Sequence, residues 1–171
     1  MKKIIFLFVA IVSLMACSQN DSDEQPEKMV KWYIELLKSN QYNAMELPAF
    51  NHSHISELIK YVDAEQKIKD FPANPISSMY VGEIRLGLYV AWTIESIRKV
   101  AIGSDDLIGR FPSLVPGLKE RNPHEFITVS DATSHPIVAQ AYRDWWEVNK
   151  SKPFDEYKTI DPLIITPYQW H

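Results

Sequence analysis

The sequence predicts an all-α fold, a compact helical domain followed by an irregular, Pro-rich C-terminal tail. Three observations lead to this prediction. Apolar residues recur at spacings of three and four along several segments, which is typical of helices that bury one face. The chain has 11 prolines, which separate these segments from one another. Its 171 residues are enough for one domain that buries a core without a metal or a disulfide.

The first two predicted helices span residues 27–39 and 54–62. In each, the apolar side chains fall on one helical face. Pro26 is acceptable immediately before the first turn of the first helix, and Ser53 can cap the free N–H groups at the start of the second. The apolar positions are Met29, Val30, Tyr33, Leu36 and Leu37 in the first helix, and Ile55, Leu58, Ile59 and Val62 in the second.

The longest predicted helix spans residues 79–102 and follows a connecting loop over residues 63–78. Pro72 and Pro75 interrupt the helical pattern in the loop, because proline removes an N–H donor and restricts the residue before it. The long helix is apolar on more than one face, so we expect it to be the central, buried element. Gly103 can adopt the left-handed conformation that ends helices.

Two shorter segments follow the long helix. Pro112 and Pro116 divide residues 105–117, for which we expect two short helical turns. Residues 122–135 mix apolar residues with turn formers, and they fit either a loop or a short strand.

A last clear helix is predicted for residues 136–149. Pro136 suits its first turn, and the side chains spaced for packing are Val138, Ala141, Tyr142, Trp145 and Val148. From residue 152 onward, three prolines exclude long regular structure. This tail is too apolar to be free in solvent, so we expect it to fold back onto the helices.

A weak internal repeat bears on the type of helical domain. Asp70-Phe71-Pro72 is echoed 40 residues later by Arg110-Phe111-Pro112, a period that suits helical-pair repeats. With two copies, a chance similarity is a better explanation than a true repeat. A short helical-repeat-like stack nevertheless stays open as a variant of the all-α prediction, and such a stack would have a concave binding side.

The first 16 residues have the order of a secretory signal. Lys2 and Lys3 supply positive charge, and residues 4–15 are almost wholly apolar. This segment is too short to span a bilayer, which needs ~20 apolar residues. Its end, Leu14-Met15-Ala16-Cys17, resembles the bacterial lipobox. The resemblance implies that Cys17, the single cysteine of the chain, is acylated and becomes the mature N-terminus.

The stretch that follows Cys17 is polar and acidic, from Ser18 to Glu24. It resembles the export tag that sends lipoproteins of Bacteroidota-type bacteria to the cell surface, and its composition also fits a solvated flexible tether. We therefore expect three parts: a lipoprotein signal peptide at 1–16, an acidic tether at 17–26 and one domain at 27–171. The implied location is the outer membrane, either at the cell surface or facing the periplasm.

The charge of the chain argues against nucleic acid as a partner. The formal net charge is −4, and removal of residues 1–16 takes away two of the 18 basic side chains and none of the 22 acidic ones. No cluster of Lys or Arg stands out that could bind phosphates. The predicted partners are instead the lipid bilayer, through Cys17, and an envelope protein or a glycan.

Three segments of the domain resemble a group of small, uncharacterised Bacteroidota lipoproteins. They are Trp92-Thr93-Ile94-Glu95-Ser96-Ile97-Arg98, Arg110-Phe111-Pro112-Ser113 and Tyr142-Arg143-Asp144-Trp145-Trp146. The resemblance covers most of the chain after the signal. It implies an all-helical envelope protein, and it transfers no catalytic residues because the group carries no established activity.

The strongest enzymatic hypothesis is glycoside cleavage by Glu95 and Asp144. Such a reaction needs two carboxylates about 5–10 Å apart across a cleft. Glu95 lies in the most apolar helix, where desolvation would raise its pKa toward that of a general acid. The alternative, which the spacing favours, is that Arg98 lies on the same helical face and forms an ion pair with Glu95.

Other chemistries have weaker signals. His52 and His54 would share a side only in an extended segment, and no third ligand of suitable spacing is apparent, so no metal site and no cofactor are predicted. The chain has 5 glycines, and none frames a nucleophilic serine or a phosphate loop. We therefore predict a non-catalytic binding module that meets its ligand through aromatic residues such as Trp146, Tyr168 and Trp170. The alternatives are an envelope hydrolase and a passive structural component.

Overall fold

The computed structural model describes residues 26–78, 82–105, 107–121, 126–127 and 132–171. The described chain is a mixed α/β domain, so the all-α prediction is wrong. Its helices are α1 (Pro26–Lys38), α2 (Ile55–Leu58), α3 (Leu86–Ile102), α4 (Ser134–Asn149) and α5 (Phe154–Tyr157). Its strands are β1 (Lys67–Ile68), β2 (Ile84–Arg85), β3 (Leu118–Glu120), β4 (Phe126–Ile127) and β5 (Tyr168–Trp170).

The strands form two small antiparallel sheets. In the first, Ile68 of β1 lies opposite Ile84 of β2. In the second, the strand order is β4-β3-β5, and Leu118 of β3 lies opposite Ile127 on one side and Trp170 on the other. Strands of two or three residues are too short to show an alternating pattern, which is why helical periodicity dominated the sequence.

Helix α3 is the centre of the core, as its composition predicts. Every residue from Leu86 to Arg98 is buried. The helix begins later than predicted because β2 occupies residues 84–85, and the backbone N–H of Leu86 donates to the Gln66 carbonyl at 2.8 Å. Residues 79–81 of the predicted helix lie outside the described residues. Gly103 ends the helix with φ 63°, as predicted.

The outer helices match the predictions to different degrees. Helix α1 is confirmed within a residue or two and buries Val30, Tyr33, Ile34 and Leu37. The second predicted helix is split into a 3₁₀ turn at His52–His54, α2, and a second 3₁₀ turn at Ile59–Tyr61. Helix α4 is confirmed and begins two residues earlier than predicted, at Ser134.

A close contact at Gly87 joins three segments of the core. A Cβ atom at this position would lie 2.1 Å from the Val62 carbonyl oxygen and 2.3 Å from Nε2 of His135. These two atoms already bind each other, because Nε2 of His135 donates to the Val62 carbonyl at 2.9 Å. Glycine therefore lets the start of α3 pack directly against α4 and the chain that follows α2.

The segments between the helices depart most from prediction. The described part of residues 105–117 holds an isolated bridge between Ile108 and Phe111 instead of helical turns. Since two small antiparallel sheets and a β-bridge interrupt the helices, the predicted helical-repeat stack is wrong. The C-terminal tail folds back onto the helices, but it contains α5 and β5, so it is more regular than its prolines suggest.

Candidate functional site

A polar cleft of about 520 Å³ lies beside the C-terminal half of α3. Residues 112–114 form one side, and Arg121 and the tail from Thr159 to His171 contribute the other. Its charged lining residues are Glu95, Arg98, Lys99, Arg121 and Asp161. The volume is in the range of small-molecule sites, about 300–1,000 Å³.

A buried ion pair lies at the inner side of this cleft. Glu95 is 4% exposed and Arg98 is 3% exposed, and Nη1 of Arg98 donates to Oε2 of Glu95. The Cζ atom of Arg98 lies 5.9 Å from the centre of the Trp145 ring, a distance compatible with a cation–π contact. The spacing of three residues on α3 brings the two charges together, as the sequence predicts.

Two aromatic residues extend the ion pair into a hydrogen-bonded chain. The hydroxyl of Tyr142 on α4 donates to Oε2 of Glu95 at 3.4 Å. The indole Nε1 of Trp170 on β5 donates to the Tyr142 hydroxyl at 3.0 Å. The chain links α3, α4 and β5, so the carboxylate of Glu95 is held directly by its own helix and α4 and indirectly, through Tyr142, by β5.

Burial controls the protonation of these groups. Burial raises the pKa of Glu95 above its usual range, the positive charge of Arg98 opposes this shift, and Asp161 adds to it. Burial also raises the pKa of Tyr142, and the negative charge of Glu95 acts in the same direction. Arg98 is therefore the group that favours the ionised form of Glu95 most strongly.

A second ion pair lies at the rim of the cleft. Nη2 of Arg121, just after β3, donates to Oδ2 of Asp161 at 2.8 Å, and both side chains are about one-third exposed. The other carboxylate oxygen of Asp161 accepts from the backbone N–H of Leu163 at 2.8 Å. The Nε atoms of Arg98 and Arg121 are buried and have no hydrogen-bond partner among the described residues.

The two predicted catalytic acids do not share a cleft. Asp144 lines two other cavities, which lie along α4, and its Oδ1 accepts from Nε2 of Gln140 at 2.7 Å. Glu95 lines the polar cleft and is paired with Arg98. The arrangement of two facing carboxylates that glycoside cleavage requires is therefore not formed by this pair.

Of the three aromatic residues predicted to meet a ligand, Trp170 is the one that lines the polar cleft. Trp146 is partly buried and packs against the core, with its ring centre 6.4 Å from that of Trp145. Tyr168 is 8% exposed and belongs to the core. In contrast, Trp32 on α1, which lies off the apolar face predicted for that helix, is 59% exposed.

An apolar groove of about 260 Å³ lies between α4 and the tail. Val148, Ile164 and Ile165 line it and are all exposed, with Ile165 82% exposed. Val148 was expected to pack in the core. The sequence could not reveal this groove, because the two segments that form it meet only in the folded chain.

The histidines do not form a metal site in the described part of the chain, where no group of three or more His, Cys, Asp or Glu side chains could hold an ion. The ring of His52 stacks on Phe154 at 5.3 Å, and Nδ1 of His54 accepts from the backbone N–H of Asn51 at 3.2 Å. His135 is buried against Val62. Cys17 and His124 lie outside the described residues.

The fold and the cleft define a small mixed α/β domain with a charged, partly buried cleft. The chain belongs to the family described as the domain of unknown function DUF4943, which matches residues 24–171. The curated proteins and the solved structures contain no match to the chain. Within the described residues, no helix has both the length and the apolar character needed to cross a membrane.

Proposed function

We propose that this protein is a lipid-anchored envelope protein whose DUF4943 domain binds a ligand in the polar cleft and does not catalyse a reaction. The observation that carries the proposal is the buried Glu95–Arg98 pair in that cleft. A charge pair that is this well enclosed is suited to orient a polar ligand, since both groups are held by their neighbours before any ligand arrives.

The lipid anchor is supported by the sequence before the domain. Leu14-Met15-Ala16-Cys17 has the form of a lipobox, and the family match begins at residue 24, a few residues beyond Cys17. If residues 17–26 act as the tether, the domain stays within ~35 Å of its anchor, the full extension of ten residues. The acidic residues of this tether favour the surface of the outer membrane in a Bacteroidota-type bacterium over a periplasm-facing anchor.

Binding is favoured over hydrolysis by the position of the two acids. Asp144 lines other cavities, and the two carboxylates of the cleft are each held in an ion pair, Glu95 with Arg98 and Asp161 with Arg121. A passive structural role would not account for the charged cleft. The half-buried Trp170 beside the charged groups is instead typical of sites that bind ligands with both polar and apolar faces.

The anchor is tested by fractionating cells that express the full chain or its Cys17→Ala variant. We expect the wild-type protein in the membrane fraction, and the variant in the soluble fraction. Protease treatment of intact cells then separates the two locations, because a protein at the cell surface is digested and a periplasm-facing protein is protected. Retention of the Cys17→Ala variant in the membrane fraction would contradict the lipid anchor.

The binding role is tested by crosslinking the full-length, acylated protein in cells and identifying what is recovered with it. A partner recovered with the wild type and not with Cys17→Ala would support an envelope interaction module. A small ligand or glycan is revealed instead by extracting the purified protein and analysing what it releases. Recovery of neither would contradict binding and favour the passive structural role.

A further inference from the structure

The polar cleft has more positive than negative side chains along its described lining. Arg98 and Lys99 come from α3, and Arg121 comes from the end of β3, whereas Glu95 and Asp161 supply the carboxylates. The chain as a whole is acidic, with a formal net charge of −4. A local excess of cations in an acidic protein attracts an anion to this cleft and not to the rest of the surface.

The two arginines of the cleft have more N–H donors than they use in the hydrogen bonds described above. A guanidinium group carries five N–H donors. Arg98 is 3% exposed and uses Nη1 for Glu95, while its buried Nε has no partner among the described residues. Arg121 uses Nη2 for Asp161, and its Nε is likewise unpartnered. Buried donors without acceptors cost free energy, whereas the Arg121 side chain is 31% exposed and can present its remaining donors to an acceptor in the cleft.

The remaining lining suits an organic ligand. Trp170 supplies an aromatic ring, and Thr159 supplies a hydroxyl group. The two carboxylates of the cleft, which pair with Arg98 and Arg121, would repel a doubly charged phosphate, whereas Lys99 supplies a further positive charge for a singly charged ligand. Arginine also binds planar carboxylates with a favourable fork geometry.

We propose that the polar cleft binds a ligand bearing one carboxylate, which Arg121 and Lys99 contact directly and which lies against Trp170. This inference rests on the proposed binding function and names the class of its ligand. An acidic sugar and a simple organic acid share this chemistry, and the presence of a sugar ring distinguishes them experimentally.

The test is calorimetric titration of the full chain, purified in detergent, with glucuronate, lactate, glucose and phosphate. We expect glucuronate to bind, glucose to bind at least about tenfold more weakly, and added salt to weaken the binding of glucuronate. Binding of lactate as well would indicate that the carboxylate alone suffices. Binding of glucuronate alone would assign the site to acidic sugars, and both results support the inference.

Matched variants locate the binding. Arg121→Gln and Lys99→Gln should each weaken glucuronate binding at least about tenfold, the loss expected for one charge-assisted hydrogen bond. Arg143→Gln is the control, because Arg143 also pairs with an aspartate at the surface, Asp63, but lies outside the cleft. Lys99→Gln keeps the test informative if Arg121→Gln fails to fold.

Three results would overturn the inference. These are an absence of binding for both carboxylates, tighter binding of phosphate than of glucuronate, and equal weakening by Arg143→Gln and by the two cleft variants. If a crosslinked partner or a released ligand without a carboxylate is still found for the full chain, the proposed binding function stands and only the carboxylate assignment fails. If neither is found, both fail together.

Discussion

At the scale of single residues, Glu95 and Arg98 respond differently when the other member of their ion pair is removed. A buried carboxylate can take up a proton and become neutral, and burial already raises the pKa of Glu95. An arginine keeps its charge under all ordinary conditions. Removal of Glu95 therefore leaves a buried positive charge, whereas removal of Arg98 leaves a group that can neutralise itself.

We therefore predict unequal costs for the two single substitutions. Glu95→Gln should lower the free energy of unfolding by about 3–5 kcal/mol, the usual cost of breaking a buried pair. Arg98→Met should cost less, because Glu95 becomes protonated. The double variant Glu95→Leu/Arg98→Met should recover most of the loss, since it buries no charge. Urea unfolding at neutral pH measures all three, and equal costs for the two single variants would contradict the asymmetry.

Two buried histidines predict how stability depends on pH. Burial lowers the pKa of both His54 and His135 below the ordinary value of 6.5. The unfolded chain then binds more protons than the folded chain as the pH falls through 6.5, so the stabilisation present above that pH is lost. The two histidines should therefore lower the free energy of unfolding from about pH 7.5 to about pH 5, whereas Glu95, whose pKa is raised, acts in the opposite direction.

The variant His135→Gln isolates one of these two contributions. Glutamine can still donate to the Val62 carbonyl, which His135 contacts at 2.9 Å, but it does not titrate. The decrease in stability between the two pH values should therefore be smaller in the variant than in the wild type. An identical pH dependence would show that His135 does not contribute. Glu95 is present in both proteins, so its titration contributes equally to both pH dependences and cancels in the comparison.

The residues of the cleft could be predicted only where they are close in sequence. The pairing of Glu95 with Arg98 followed from their spacing on one helix. Arg121 and Asp161 are 40 residues apart and come from a strand end and the tail, so neither could be assigned to the cleft before the fold was known. Trp170 was predicted as a binding residue from its aromatic character, without any indication of its neighbours.

At the scale of elements, the start of α3 depends on the absence of a side chain at position 87. Alanine normally stabilises a helix relative to glycine by about 1 kcal/mol. Here the added Cβ would lie 2.1 Å from the Val62 carbonyl oxygen and 2.3 Å from Nε2 of His135, so α3 would have to move away from the backbone at Val62 and displace the His135 ring. The local helix propensity and the packing of the element thus act in opposite directions.

Gly87→Ala should therefore destabilise the protein by about 3 kcal/mol, as overpacked core positions do. Gly103→Ala is the matched control, because its Cβ would meet nothing within 4 Å and only its positive φ opposes the substitution, at a cost of about 1 kcal/mol. Thermal unfolding of both variants gives the order of their stabilities. A Gly87→Ala variant as stable as the wild type would contradict the close contact described here.

The helices could be predicted from periodicity, whereas the strands could not. Helices α1, α3 and α4 have 13, 17 and 16 residues, long enough for the spacing of apolar residues to repeat several times. The strands have two or three residues, and each is stabilised mainly by its partner from another part of the chain. Residues 84–85 show the effect well, because their pairing with β1 overrides the helical pattern that continues into them.

At the scale of the whole molecule, the domain and its proposed anchor are separable. The family match begins at residue 24 and the described core begins at Pro26 in α1, both after Cys17 in the sequence. We therefore expect the Cys17→Ala variant to leave the membrane without losing stability. Its midpoint of thermal unfolding should equal that of the acylated protein in the same detergent, and a marked decrease would show that the anchor is part of the folded domain.

The pairing of β5 with β3 has a consequence for how the domain folds. Leu118 and Trp170 lie opposite each other although they are far apart in sequence, and contacts of this kind form slowly because a long loop must close first. The same strand brings Trp170 to the hydroxyl of Tyr142. We therefore expect the wall of the cleft that contains Trp170 to form later in folding than the helices around α3.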